Sequence, residues 1–283
     1  MNQLLESLIV CPNCKQPFDV KEEAFWRCSK DGFEIPIYEG KPVFTSMPKT
    51  AHVYEKIERG PEQGTPWRQA NWKFLQEQVQ GQDKEALILD VGSGHGDFAQ
   101  IFTNRKYLAV DIVPYPEVDL ACDLGEVVPF KEGTFDLLVL MNVLEHVYHF
   151  HKLLDSMFYL LKPGGSLVIA VPFMIKVHQA PFDFYRYTHY TLVDFAKEHG
   201  FEVTLLEGYY DPIFFVGESM RNLRFWVLPK LPRFSRWFAR GVLMLIESLI
   251  SLLKLFIGKG YVKSPDLAKN PAAIGYHLVL RKP

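Results

Sequence analysis

Four stretches of this chain hold residue types that can do chemistry. In the first, the apolar run Leu87-Ile88-Leu89 leads through Asp90-Val91 into Gly92-Ser93-Gly94-His95-Gly96. A strand that runs into glycines and then a helix lets backbone approach a ligand where side chains would collide, and it offers the unpaired N–H groups of a first helical turn. That combination is a cradle for a nucleotide-type cofactor. The glycine spacing is G-x-G-x-G; dinucleotide pyrophosphates are held by G-x-G-x-x-G, so the pyrophosphate reading is weakened. A second short apolar strand, Tyr107–Asp111, ends in a carboxylate. It stands roughly 20 residues beyond Asp90, the step expected for an acid that grips ribose hydroxyls. Asp123 follows Cys122 in a loop. Either acid could otherwise be a solvated loop carboxylate or a helix cap.

The elements that must position these groups are legible as apolar runs. Thr134–Asn142 reads as a strand passing into Val143-Leu144-Glu145-His146-Val147, and Leu161–Pro172 as a glycine turn followed by another strand. The order of these motifs resembles the class I S-adenosylmethionine-dependent methyltransferases, specifically the type 11 group, over roughly residues 86–206 plus a C-terminal strand. The resemblance implies a doubly wound α/β fold with a seven-stranded Rossmann-like sheet. It implies that Asp90, Gly92, Ser93 and Gly94 hold the methionine part of the cofactor and that Asp111 accepts the ribose hydroxyls. Ile112 would pack on the adenine, Asp123 and Leu124 would meet its edge, and Asn142 would line the sulfonium side.

Methyl transfer from a sulfonium is an in-line displacement, so alignment contributes most and a base is needed only for a protonated acceptor. His146 is the candidate base, with a loop-orienting role as the alternative. After the next strand comes His178-Gln179-Ala180-Pro181-Phe182-Asp183-Phe184-Tyr185-Arg186-Tyr187-Thr188. A similar run recurs in type 11 methyltransferases associated with small-molecule and glycan modification, which makes His178, Asp183, Tyr185 and Arg186 candidates for the acceptor loop. The competing reading pairs Asp183 with Arg186 and lets Thr188 cap a helix over Tyr190–His199. His149 and His151 read as surface helix residues.

The fourth stretch is Cys11-Pro12-Asn13-Cys14 with Cys28-Ser29-Lys30-Asp31. It resembles a Trm112-like zinc ribbon in which the second knuckle is C-x-x-D. Three thiolates and the Asp31 carboxylate can complete a tetrahedral zinc site. A metal-free ribbon held by Phe18, Trp26, Phe33, Ile35, Ile37 and Phe44 is the alternative, although modules this small usually need a staple.

The chain of 283 residues with 48% hydrophobic content exceeds what one such α/β domain needs. The expected organisation is a ribbon at 1–48, linker and capping helices at 49–85, a core at 86–216, a hydrophobic and basic insertion at 217–271, and the last core strand at 272–283. In the linker, the regions around Tyr54 and Trp67–Val79 read as helix, either capping the pocket or packed on the sheet. The insertion carries nine Lys or Arg between Arg221 and Lys263 against a single acid, Glu247, and an apolar run Val242–Ile257. That run is short of the roughly 20 residues of a membrane-spanning helix. With interfacial tryptophans, it suits a helix lying on an anionic membrane, with a lid or homodimer seam as alternatives.

A net charge of −2 gives no general electrostatic case for nucleic acid, and four cysteines suit a reducing compartment. No signal peptide pattern is present at the start. The resulting expectation is a cytoplasmic enzyme, at the inner face of the membrane, that methylates a hydroxyl or amine of a small, lipid-linked or glycan-type acceptor. An rRNA methyltransferase is the less favoured alternative: a zinc-binding N-terminus also resembles enzymes that methylate large-subunit rRNA, but Asn142-Val143-Leu144-Glu145 replaces the Asn-Pro-Pro-Tyr-type motif of base amino methylation. A non-catalytic cofactor-binding scaffold is a third.

Overall fold

Apolar runs bounded by turn chemistry build the elements that carry the site. The structure, a computed structural model, describes residues 2–45, 56–58, 60, 63–210, 216–217, 219–220, 222–257, 262–264 and 273–283. The helix expected around Tyr54 and the expected boundaries at 48–49 and 271–272 lie outside the described residues.

The chain starts with α1 (Gln3–Leu8), capped by the Asn2 side chain, which accepts from the Leu4 N–H. Four short strands follow: β1 (Val20–Lys21), β2 (Phe25–Arg27), β3 (Glu34–Tyr38) and β4 (Lys41–Pro42), antiparallel neighbours in that order. Phe18 gathers Trp26, Phe33 and Phe44 around it at centroid distances of 6.0 to 6.5 Å, a small aromatic core. Helix α2 (Pro66–Gln80) begins at Thr65, whose hydroxyl accepts from the Arg68 N–H, with Pro66 at the first helical position.

The central sheet then forms from β5 (Leu87–Val91), β6 (Lys106–Asp111), β7 (Leu120–Ala121), β8 (Phe135–Met141), β9 (Leu161–Pro172), β10 (Glu202–Tyr210) and the C-terminal β12 (Gly275–Arg281). Their order is β10-β12-β9-β8-β5-β6-β7, with β9, β8, β5, β6 and β7 parallel and β12 antiparallel to β9. β5 and most of β8 are buried, as parallel strands covered on both faces must be. Helices α3 (Phe150–Leu160) and α4 (His189–Glu198) connect the later strands. The short β7 stands where the sequence suggested only a loop; it is recruited as an edge by β6, through Val110↔Leu120 and Asp111↔Ala121.

The N-terminal sheet is bonded to that edge. The Phe44 N–H donates to the Ala121 carbonyl at 2.8 Å, and Lys41 Nζ donates to the carbonyls of Tyr115 and Pro116 at 2.6 and 2.7 Å. Residues 1–207 and 275–283 thus form one unit, and Gly208–Ile274 forms a second.

Within the second unit, the end of β10 pairs antiparallel with β11 (Val262–Ser264). Helix α5 (Arg233–Ile257) is 25 residues long, starting nine residues before the apolar run read from sequence. Leu243 packs with Met220 and Leu228 in a small core, flanked by Leu231, Ala239 and Ile246. The opposite face leaves Phe234, Trp237, Phe238, Leu245, Leu249 and Leu252 exposed. Among the described residues, no helix is long and apolar enough to cross a membrane.

Candidate functional site

The strand order reverses about β5, and in open α/β sheets ligands bind outside the carboxyl ends of the strands at such a point. A cavity of about 270 Å³ opens there. Of the residues singled out in the sequence, Gly92, Asp111, Ile112, Asp123, Leu124, Asn142 and His146 line it. Cys122, Val143, Leu153, Gln179 and Phe182 also line it, from four separate segments that no local pattern connects.

The glycine loop is shaped by its neighbour as well as by its own conformation. Gly92 has φ +73°, and a Cβ there would lie 2.5 Å from Val143 Cγ2. The β5 loop and the β8 loop can close together only because position 92 has no side chain. Asp111 is fixed by two backbone amides, accepting from Gly94 at 2.9 Å and Val113 at 3.0 Å. Burial raises its carboxyl pKa, and those amide hydrogen bonds oppose the rise. Asp90 is 3% exposed and stands beneath the cavity, outside its lining, where Tyr107 donates to it at 3.1 Å. Burial pushes its carboxyl up to about 7, the Tyr107 bond opposes this, and the Asp111 charge adds to it. Ser93 and Gly94 also lie outside the lining; the Ser93 hydroxyl is buried with no hydrogen-bond partner among the described residues, the kind of orphan a bound ligand satisfies.

Asn142 follows β8 with φ +57° and is held by α2. Its Oδ1 accepts from Trp67 Nε1 at 2.8 Å and from Asn71 Nδ2 at 3.3 Å. Asn71 Oδ1 in turn meets His277 Nε2 at 2.8 Å, and the His277 ring is stacked between Trp67 and Phe74. Helix α2 packs on β9 and β12, and its described residues are not part of the cavity lining. It acts on the pocket through Asn142.

The acceptor-loop residues separate by role. His146 faces the cavity, and its Nδ1 lies 2.6 Å from the Phe182 carbonyl, an acceptor that fixes the proton on Nδ1. His178, Tyr185 and Arg186 are not part of the lining. Arg186 spends its guanidinium on Asp183, at 2.6 Å from Nη2 to Oδ2, and on the Ile175 and Lys176 carbonyls. Tyr185 donates to the Tyr148 carbonyl at 2.9 Å and lies among the rings of Phe150 and Tyr187. Contact with Glu145 raises the His178 pKa, against partial burial, with the Asp183 charge adding to the rise. Thr188 caps α4, its side chain accepting from the Thr191 N–H. His151 has a partner that the sequence did not suggest, His199 Nε2 at 3.0 Å from its Nδ1.

In the N-terminal unit, the ligand atoms of Cys11, Cys14, Cys28 and Asp31 all lie within 4.8 Å of one another. The two knuckles repeat one backbone pattern. Cys11 and Cys28 donate their N–H to the carbonyls of Gln16 and Phe33 and accept at their own carbonyls from Lys15 and Gly32. Lys15 and Gly32 both have positive φ, 58° and 74°. Burial pushes the Cys11 thiol up to about 12, whereas the Gln16 backbone holds Cys14 below its usual value and the Phe33 backbone does the same for Asp31. Three sulfurs and one carboxylate at this spacing suit a tetrahedral zinc.

Comparison with known proteins bears on the domain around the cavity. Residues 67–206 match the family model of a methyltransferase domain. An uncharacterized methyltransferase of Mycolicibacterium gilvum is 32% identical over 100 residues, covering 31% of this chain and 39% of that protein. The mitochondrial arginine-hydroxylase NDUFAF5 of Homo sapiens is 26% identical over 155 residues, covering 46% and 45%. A SAM-dependent methyltransferase structure from Archaeoglobus fulgidus aligns at 16% identity with TM-score 0.48, over 76% of this chain and 94% of that one. The chain spans less than half the length of the curated relatives it matches. All the residues that line the cavity lie within 67–206, the stretch that matches a methyltransferase domain.

Proposed function

We propose that this protein transfers a methyl group from S-adenosylmethionine to a hydroxyl or amine of a small, lipid-linked or glycan-type acceptor. The observation that carries the reading is the cavity itself: Asp111 presents a fixed carboxylate, Gly92 lines it with bare backbone packed on Val143, and His146 faces the same space. Bound there, S-adenosylmethionine supplies an electrophilic methyl. Asp111 would hold the ribose, Asp123 and Leu124 the adenine edge, and Asn142, braced by Trp67 and Asn71, the sulfonium side. His146, whose ring lines the cavity and whose Nδ1 is bound to the Phe182 carbonyl, would orient the loop that faces the acceptor. The N-terminal ribbon would hold zinc through Cys11, Cys14, Cys28 and Asp31, and its bonds from Lys41 to the Tyr115 loop favour a bracing role for it.

The acceptor class is supported by the second unit. Phe234, Trp237 and Phe238 are 83%, 76% and 65% exposed on α5, and the nine basic residues between Arg221 and Lys263 complement an anionic lipid surface. The test is methyl transfer from radiolabelled S-adenosylmethionine into an extract of cells lacking the protein, fractionated by chemical class. Label in lipid or polysaccharide supports the reading, label in RNA promotes the rRNA alternative, and no label with cofactor binding intact leaves the scaffold. Co-sedimentation with anionic liposomes, lost on Trp237→Glu, reports separately on the membrane surface.

A further inference from the structure

Glu145 sits between the cavity and the acceptor loop with its side chain fully buried, and neither carboxylate oxygen has a hydrogen-bond partner among the described residues. Burying an unanswered carboxylate is strongly unfavourable, so a positive group belongs beside it. Two imidazoles face it. His146 Nε2 is 3.7 Å and His178 Nε2 3.8 Å from Glu145 Oε1, both too long for hydrogen bonds. His146 Nε2 is itself buried without a hydrogen-bond partner among the described residues.

The outer nitrogens explain the orientation. His146 Nδ1 is bound to the Phe182 carbonyl. His178 Nδ1 stands 3.3 Å from Asp183 Oδ2, a carboxylate that Arg186 holds in place while its Nη2 lies 3.3 Å from the same ring nitrogen. Each ring turns Nε2 toward Glu145, with the outer nitrogen of His146 on a carbonyl and that of His178 between the Lys176 carbonyl at 3.4 Å and the Arg186 donor, and fixing the outer nitrogen is how surrounding groups orient metal-binding histidines. The three ligand atoms lie within 4.8 Å of one another. An ion about 2.0–2.2 Å from each ligand fits between them after the trio closes by a few tenths of an ångström.

We propose that Glu145, His146 and His178 bind a divalent first-row transition-metal ion. Two imidazoles and one carboxylate, with no thiolate, favour an ion that also accepts oxygen ligands, and they leave coordination positions open. Because His146 lines the cavity, those positions are available to an oxygen of the acceptor. This last clause rests on the methyl-transfer reading; the ion site itself does not.

Titrating the full-length protein with Mn²⁺ and following the free ion by electron paramagnetic resonance tests the site. One ion per chain is expected. Glu145→Gln and His178→Ala should each weaken binding at least about tenfold, whereas the double variant Cys14→Ser, Cys28→Ser should bind Mn²⁺ like the wild type. His178 is in a partly exposed loop, so its variant guards against a folding defect in Glu145→Gln. Absence of saturable binding, or binding that neither variant weakens, overturns the proposal. The titration contains no cofactor, so calorimetric binding of S-adenosylmethionine to the same preparations judges the methyltransferase reading independently.

Discussion

Gly92→Ala is expected to fail for two separable reasons. Alanine at φ +73° occupies the left-handed region, which costs an L-residue about 1–2 kcal/mol. The added methyl would also lie 2.5 and 3.0 Å from the two Cγ atoms of Val143, a core-like overlap that typically costs about 1–3 kcal/mol. The single variant should therefore lose about 2–5 kcal/mol of stability and, because Gly92 lines the cavity, most of its S-adenosylmethionine affinity. In a Val143→Ala background both Cγ contacts disappear and only the Cβ, 3.3 Å away, remains tight. There the same substitution should cost little beyond the backbone part, giving a favourable coupling of about 1–3 kcal/mol. Denaturant unfolding of the wild type, both single variants and the double variant measures the cycle, with calorimetry following the cofactor. Effects that add within about 0.5 kcal/mol would refute the steric argument.

Asp111→Asn removes a charged acceptor from the ribose position and should weaken S-adenosylmethionine by about 1.5–3 kcal/mol, roughly 10- to 150-fold, in calorimetric titration; an unchanged Kd would place the ribose elsewhere. Asp90 has a folded pKa of about 7, above its unfolded value near 3.8, so the stability it contributes below pH 4 is lost as pH rises through about 7. That loss is on the order of 4 kcal/mol, and Asp90→Asn, neutral throughout, should flatten the decline of the cofactor-free protein between those limits. Parallel pH profiles for the two proteins would show that burial does not hold the proton on Asp90. If the ribbon carries zinc, saturation at a thousand times Kd stabilises it by about 4.1 kcal/mol, which a chelator or Cys28→Ser should remove. Metal analysis and thermal unfolding before and after chelation decide this, and a metal-free preparation with unaltered unfolding would identify the aromatic core as sufficient.

Local chemistry is what the sequence determined by itself. The strands of the sheet, the glycine loop, the acid at the end of β6 and the Thr188 cap all depend on residues within a few positions of one another, so periodicity and turn chemistry expose them. The two knuckles are legible for the same reason, since each closes over five residues. Contacts decided by the register of the sheet were out of reach. Asn71 meets His277 across 206 positions, and Trp67 reaches Asn142 across 75. Glu145 looks like an ordinary helix-turn acid in the chain; only the folding of the loop after β9 over the loop after β8 buries it against His146 and His178. Arg186 and Asp183 read in the chain both as acceptor contacts and as a pair, and their pairing becomes visible only in the folded loop. The edge strand β7 and the cavity-facing Cys122 have no pattern of their own, because an edge two residues long forms only where a neighbouring strand supplies its hydrogen bonds.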